Sequence, residues 1–235
     1  TNFLNGGTVT LGDGSGDVLT FAGGLATTGG GTNPTSTNVA GTVNTTDTQM
    51  DLGAVTLTAA ATLDTGNNAA GILNVGAVTS GGFGLTLDSG STGGATIGLT
   101  SMVAGAGGLT IRDAGGLATI GDVGSSSTGA VTITDSTGGV TFSANLDATT
   151  LTITDTEDAA AVTFAAGQDV DLTTGLTVSN AGSDAYDVVI NSSTFDAAGD
   201  TNFLNGGTVT LGDGSGDVLT FAGGLATTGG GTNPT

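Results

Sequence analysis

One small pattern runs through most of the chain: an apolar residue, a threonine, a second apolar residue, and then Gly, Asp, Asn or Ser. Val9-Thr10-Leu11 and Leu19-Thr20-Phe21 open the series. Val55-Thr56-Leu57, Leu85-Thr86-Leu87, Ala95-Thr96-Ile97, Leu109-Thr110-Ile111, Ala118-Thr119-Ile120, Val131-Thr132-Ile133, Val140-Thr141-Phe142, Leu151-Thr152-Ile153, Val162-Thr163-Phe164 and Leu176-Thr177-Val178 continue it. Leu73-Asn74-Val75 and Val170-Asp171-Leu172 are polar variants. Alternation at period two predicts short β-strands, with the two apolar side chains on an inward face and the threonine pointing out. Glycine pairs between triplets, such as Gly81-Gly82, Gly107-Gly108 and Gly138-Gly139, supply the positive φ that corners need.

Spacing chooses between a sandwich and a solenoid. Alternate triplets start at 73 and 95, 85 and 109, 95 and 118, 109 and 131, 118 and 140, and 140 and 162, steps of 22, 24, 23, 22, 22 and 22 residues. Hairpin sandwiches also place a strand every 8–12 residues, but nothing in them fixes the interval between alternate strands. The pattern therefore predicts an all-β parallel β-helix, a β-solenoid, of about 22 residues per coil with at least two strands per turn. Over residues 29–49 the apolar positions thin to Val39 and Val43 and Asn33-Pro34 blocks a central strand, which predicts a lateral loop or flap. Glu157-Asp158 and residues 183–187 are shorter candidates for lateral loops.

A longer repeat lies over the short one. Residues 1–35 return without a substitution at residues 201–235. Residues 1–200 are thus expected to form one solenoid unit and residues 201–235 the start of the next. A coil cannot stand alone: four to six buried apolar side chains worth about 1.5–3 kcal/mol each face a backbone ordering cost of about 1–2 kcal/mol per residue. Neighbouring coils must supply the rest, which makes stability a nearest-neighbour property.

Composition narrows the chemistry. The 235 residues hold 46 Gly, 21 acidic residues and a single basic one, Arg112, with no His and no Cys, for a formal charge of −20. Nucleic acid and anionic membranes would be repelled. Catalysis by a nucleophile with a histidine base is excluded within the chain, and a Walker phosphate loop lacks its lysine. No apolar run reaches the ~20 residues of a membrane span. The chain begins at Thr with no charged-then-apolar leader, as expected of a mature fragment or a window of a longer polypeptide.

Few residues invite a specific role. Asp169 and Asp171 would project side by side, as paired carboxylates of sugar-cleaving enzymes do, although a solvated face explains them as well. Asp13-Gly14-Ser15-Gly16-Asp17 and its copy at residues 213–217 suggest calcium-binding Gly/Asp repeats but miss their register, so a turn is expected. Thr8 and Thr10, Thr56 and Thr58, Thr132 and Thr134, and Thr152 and Thr154 form outward pairs of the kind that order water on ice-binding solenoids. Asn44-Thr45-Thr46 and Asn191-Ser192-Ser193 match the glycosylation sequon. No catalytic, cofactor-binding or dedicated metal residue is expected, and the acidic surface is compatible only with weak divalent-cation binding.

Through runs such as GAVTITDSTGGVTF (residues 129–142) and TTLTITDTEDAAAVTF (residues 149–164), the chain resembles the β-solenoid passengers of filamentous-haemagglutinin-like and autotransporter adhesins. That resemblance implies a secreted rod used for adhesion, spacing or matrix. The expected function is a non-enzymatic structural protein: an extracellular rod or filament of tandem units at the cell surface, partnered by copies of itself end to end or laterally. The alternatives are an adhesin or glycan-binding module that uses residues 29–49 against cell-surface glycans, and an ice-binding solenoid.

Overall fold

The computed structural model describes residues 1–103, 107–124, 129–182, 184–229 and 232–235, in which there are 22 β-strands and no helix. Every strand pairing is parallel. The chain winds as a parallel β-solenoid of about 9 turns with roughly 24 residues per turn. Each turn has three faces.

Face 1 begins with Thr8–Leu11 and climbs through the first halves of Ser36–Thr45 and Val55–Asp64. It then takes the ends of Leu73–Thr79, Ile97–Val103 and Ala118–Val123 and the starts of Leu146–Ile153 and Asp169–Val178, and finishes at Thr194–Ala197 and Val218–Phe221. Face 2 runs from Val18–Phe21 through the later halves of Ser36–Thr45 and Val55–Asp64, then Leu85–Asp88, Leu109–Asp113, Val131–Ile133 and the ends of Leu146–Ile153 and Asp169–Val178. Face 3 runs from Leu25–Ala26 and Met50–Leu52 through the starts of Leu73–Thr79, Ile97–Val103 and Ala118–Val123 to Val140–Phe142, Ala161–Phe164, Tyr186–Ile190 and Gly206–Leu211.

Parallel register places like on like. On face 2 the inward residues Leu63, Leu87, Ile111, Ile133, Ile153 and Val178 stack in one column, all buried. The outward row beside it is threonine for seven consecutive turns, from Thr42 through Thr62, Thr86, Thr110, Thr132 and Thr152 to Thr177. Toward one end the core becomes aromatic: Phe142 stacks on Phe164 at 5.2 Å, Phe164 meets Phe195 edge-on at 5.3 Å, and Phe195 lies 5.6 Å from Phe221. Close backbone approach fixes the corners. Gly41 has φ +71°, and a Cβ there would stand 2.4 Å from the Asp17 carbonyl oxygen; at Gly121 a Cβ would meet the Thr100 carbonyl oxygen at 1.9 Å.

Three expectations are corrected. Residues 29–49 are not a flap, because Ser36–Thr45 is a ten-residue strand spanning faces 1 and 2. Its inward positions are Thr37, Val39, Val43 and Thr45, all buried, so threonine fills core sites that the sequence pattern assigns to the surface; the strandless stretches shrink to residues 27–35 and 46–49. Within residues 183–187, Ser183 lies outside the described residues, and Tyr186 and Asp187 already belong to the strand Tyr186–Ile190, with Tyr186 fully buried. Ala95-Thr96-Ile97 is not a strand triplet; the strand starts at Ile97 and faces inward through Ile97 and Leu99, with Gly98 in the place threonine holds elsewhere. Glu157-Asp158 does fall in a strandless corner.

The aromatic column offers a direct check. Phe164→Ala removes a fully buried ring flanked by two others, and should cost about 3–5 kcal/mol in denaturant unfolding, whereas Phe83→Ala, at an exposed corner, should cost under about 1 kcal/mol.

Candidate functional site

The corner between faces 2 and 3 carries the densest polar organisation. There the chain repeats Asp followed by Ser or Thr: Asp64-Thr65, Asp88-Ser89, Asp135-Ser136 and Asp155-Thr156. Each carboxylate accepts a nearby backbone amide, from Gly66 at 2.8 Å, Gly90 at 2.7 Å, Ser136 at 2.7 Å and Thr156 at 3.1 Å. At three of the four corners the adjacent hydroxyl turns inward and donates across the corner, Ser89 to the Ala95 carbonyl at 2.9 Å, Ser136 to the Gly139 carbonyl at 2.9 Å, and Thr65 to the Gly71 carbonyl, while the Thr156 hydroxyl is buried without a partner among the described residues. Backbone groups that no ladder reaches are satisfied in this way.

Stacking these corners stacks their charges. Asp64 and Asp88 are register partners, and Asp88 pairs with Asp113 across a bulge. Arg112 lies over them: its guanidinium bonds the Asp88 carboxylate, which is largely buried, and reaches Asp64 at 3.6 Å. Burial, and then the neighbouring Asp88 and Asp135, push the Asp113 carboxyl above its ordinary value. On face 1 a second ladder runs Asp147, Asp171, Asp196, and burial, followed by repulsion from Asp171, raises Asp147. Asp155 is likewise raised, chiefly by burial.

The residues singled out in the sequence fall as follows. Asp169 and Asp171 both stand exposed on face 1, Asp169 accepting the Thr194 hydroxyl at 2.6 Å. The Asp13–Asp17 stretch is a turn closed by Asp17, whose carboxylate accepts the amides of Asp13 at 2.8 Å and Gly14 at 3.1 Å and is held below its usual range by them. Asn44 is half-buried in a strand, and Asn191 precedes the buried Ser192. Thr132 and Thr134, and Thr152 and Thr154, share face 2, but the row beside the threonines is Asn44, Asp64, Asp88 and Asp113 in the earlier turns, with Arg112 at the bulge next to it. A shallow groove of about 540 Å³ follows the corner between faces 3 and 1, floored by Gly53, Gly76 and Gly121.

Among the described residues no group of three or more His, Cys, Asp or Glu is placed to hold a metal ion, and no helix is long and apolar enough to cross a membrane. The corner device escaped the sequence analysis although its signal was present: LDTG at residues 63–66, LDSG at 87–90, ITDS at 133–136 and ITDT at 153–156 repeat Asp-Ser/Thr where a face 2 strand ends, Asp64 and Asp88 as the last strand residue and Asp135 and Asp155 two residues beyond it. Comparison with protein-family models, curated proteins and solved structures found no match.

Removing the cation should leave Asp88 buried without a counter-charge. Arg112→Gln is expected to lower the unfolding free energy by about 1–2 kcal/mol, the value of a charge-assisted hydrogen bond discounted for the exposure of the arginine, and a denaturation midpoint unchanged from the parent would contradict this. The raised carboxyls set a pH dependence. A raised folded pKa means the folded chain takes up protons before the unfolded one, so these groups stabilise most below the ordinary aspartate value, and that contribution is lost as pH rises through the folded values. Thermal unfolding should therefore occur at a higher temperature at pH 4.5 than at pH 7, with a smaller gain in Asp147→Asn.

Proposed function

We propose that the protein is a non-enzymatic structural protein, an extracellular rod or filament built from tandem solenoid units. One observation carries the proposal. Over its described residues the repeated sequence makes the same turn in both copies while engaging different neighbours. Internally, Phe3 N donates to Ala26 O at 2.9 Å and Phe203 N to Ala226 O at 2.9 Å; Gly24 N donates to Phe21 O at 3.0 Å and Gly224 N to Phe221 O at 3.0 Å. Phe3 and Phe21 stand 6.4 Å apart and Phe203 and Phe221 6.3 Å. Externally, the first copy pairs with Ser36–Thr45 and Met50–Leu52, and the second with Tyr186–Ile190 and Thr194–Ala197. A sequence that packs in both settings suits a stack in which units follow one another without a break.

The resemblance to filamentous-haemagglutinin-like and autotransporter passengers, and the Asp- and Thr-rich, cysteine-free composition, favour a place at or beyond the cell surface. Partners in this reading are other copies of the chain, with cell-surface glycans as further ligands if the rod also adheres. Negative-stain imaging of the native material tests it: thin rods lengthening by about 40–45 Å per unit are expected, and compact particles would contradict it.

A second reading, binding to ice, is favoured by the seven threonines in register on face 2 and opposed by the charged row beside them. If it holds, the protein lowers the freezing point below the melting point, and Thr132→Lys with Thr152→Lys abolishes the gap; no gap in the parent chain dismisses it.

A further inference from the structure

We infer that successive units in the stack are turned by one face of the solenoid, about a third of a turn, so that the same surface returns to the same side only after three units. The inference rests on the tandem-rod reading above and specifies how one copy meets the next.

The register fixes the rotation. In the first copy of the repeated sequence, Thr8–Leu11 opens face 1, Val18–Phe21 opens face 2 and Leu25–Ala26 opens face 3. In the second copy the corresponding strands have moved. Gly206–Leu211, which contains the counterpart of Thr8–Leu11, tops face 3 on Tyr186–Ile190. Val218–Phe221 tops face 1 on Thr194–Ala197. Leu225–Ala226 lies on Thr201–Asn202, which packs on the Asp169–Val178 strand that carries face 2, where Gly199 meets Gly175. All three strands shift by one face in the same direction.

Counting faces in chain order from Thr8–Leu11 to its copy gives 26 strand positions, and at three per turn the 200-residue offset spans eight and two-thirds turns. A unit in phase with its neighbour would need 27. The offset leaves no strand of the repeated sequence unpaired, because each has a register partner on both sides once its two settings are superposed. The strand equivalent to Thr8–Leu11 lies between Tyr186–Ile190 and the start of Ser36–Thr45, and the equivalent of Val18–Phe21 between Thr194–Ala197 and the end of Ser36–Thr45. The equivalent of Leu25–Ala26 lies between Thr201–Asn202 and Met50–Leu52. The partner that fits above the repeated turn is therefore residues 36–52 of another copy.

The rotation decides what the rod shows to its surroundings. At about 4.8 Å per turn, one unit rises about 42 Å and three units about 125 Å. In an in-phase stack, every Arg112 with its Asp64 and Asp88 would line one side. With the one-face shift these clusters step around the axis, each side carrying one about every 125 Å, and the threonine row of face 2 is shared among all three sides. Lateral association then meets equivalent chemistry in three directions, which suits bundles and layers better than one-sided ribbons.

The test is electron cryo-microscopy of the chain extended by two further copies of residues 36–235, with Thr110 in each unit changed to Cys and labelled with gold. The parent has no cysteine, so labelling is confined to those sites. The expected result is a continuous rod whose density superposes on itself after a shift of about 42 Å combined with a rotation of about 120°, with successive labels on three different sides. A continuous rod with all labels on one side, or with another rotation, overturns the inference and leaves the rod reading standing. Separate beads joined by strandless chain overturn both.

Discussion

Turn-upon-turn parallel pairing is the constraint from which the rest follows. Each strand finds hydrogen-bond partners only in the turns directly above and below, so every position must be compatible with its counterparts one turn away. Apolar residues therefore fall into continuous columns such as Leu63 to Val178, outward threonines fall into rows, and phenylalanines cluster between Phe142 and Phe221. The same rule stacks aspartates. Two carboxylates a strand spacing apart repel by about 1 kcal/mol even at the dielectric of water, and the chain accepts this at its corners because each carboxylate also caps backbone amides that would otherwise lack a partner. Arg112 relieves the repulsion at one point, where Asp88 is buried.

Two of the three faces were legible in the sequence. Faces 2 and 3 carry the apolar-Thr-apolar triplets at near-constant spacing, and those steps predicted the parallel solenoid and a coil length close to the one observed. Face 1 was hidden because in several turns it consists of the tail of a strand already counted: Val78, Met102 and Val123 follow the face 3 strands after a bend at Gly76, Thr100 or Gly121 that does not interrupt the strand, rather than after a glycine pair. The flap expected over residues 29–49 failed for a related reason. Threonine fits either side of a strand, since it is β-branched and carries a methyl that packs inward as well as a hydroxyl that suits the surface, and apolar counting cannot distinguish Thr37 and Thr45, which are buried, from Thr42, which is not. No site was expected from residue types alone; the Asp-Ser/Thr pairs stand in the sequence, but that they share one corner follows only from the coil that stacks residues about two dozen positions apart.

Acidity and repetition together give the rod its surface character. With 21 acidic residues and one basic, its sides repel polyanions, other copies of the chain included. The corner groove floored by glycine, the threonine row and the two aspartate ladders each extend along the axis rather than converging on a point. Extended, repeated surfaces of this kind favour many weak contacts over one tight one, which is what the proposed structural role requires.

Native-state amide hydrogen exchange on the full chain tests the central claim most directly, because a turn completed by its neighbours must open in order of how many neighbours it has. Protection should rise from Val18–Phe21 and Val218–Phe221 toward the middle turns at Leu85–Asp88, Leu109–Asp113 and Val131–Ile133, with the two outer strands alike. Middle-turn amides that exchange as fast as the outer ones, with no gradient along the axis, would contradict the account.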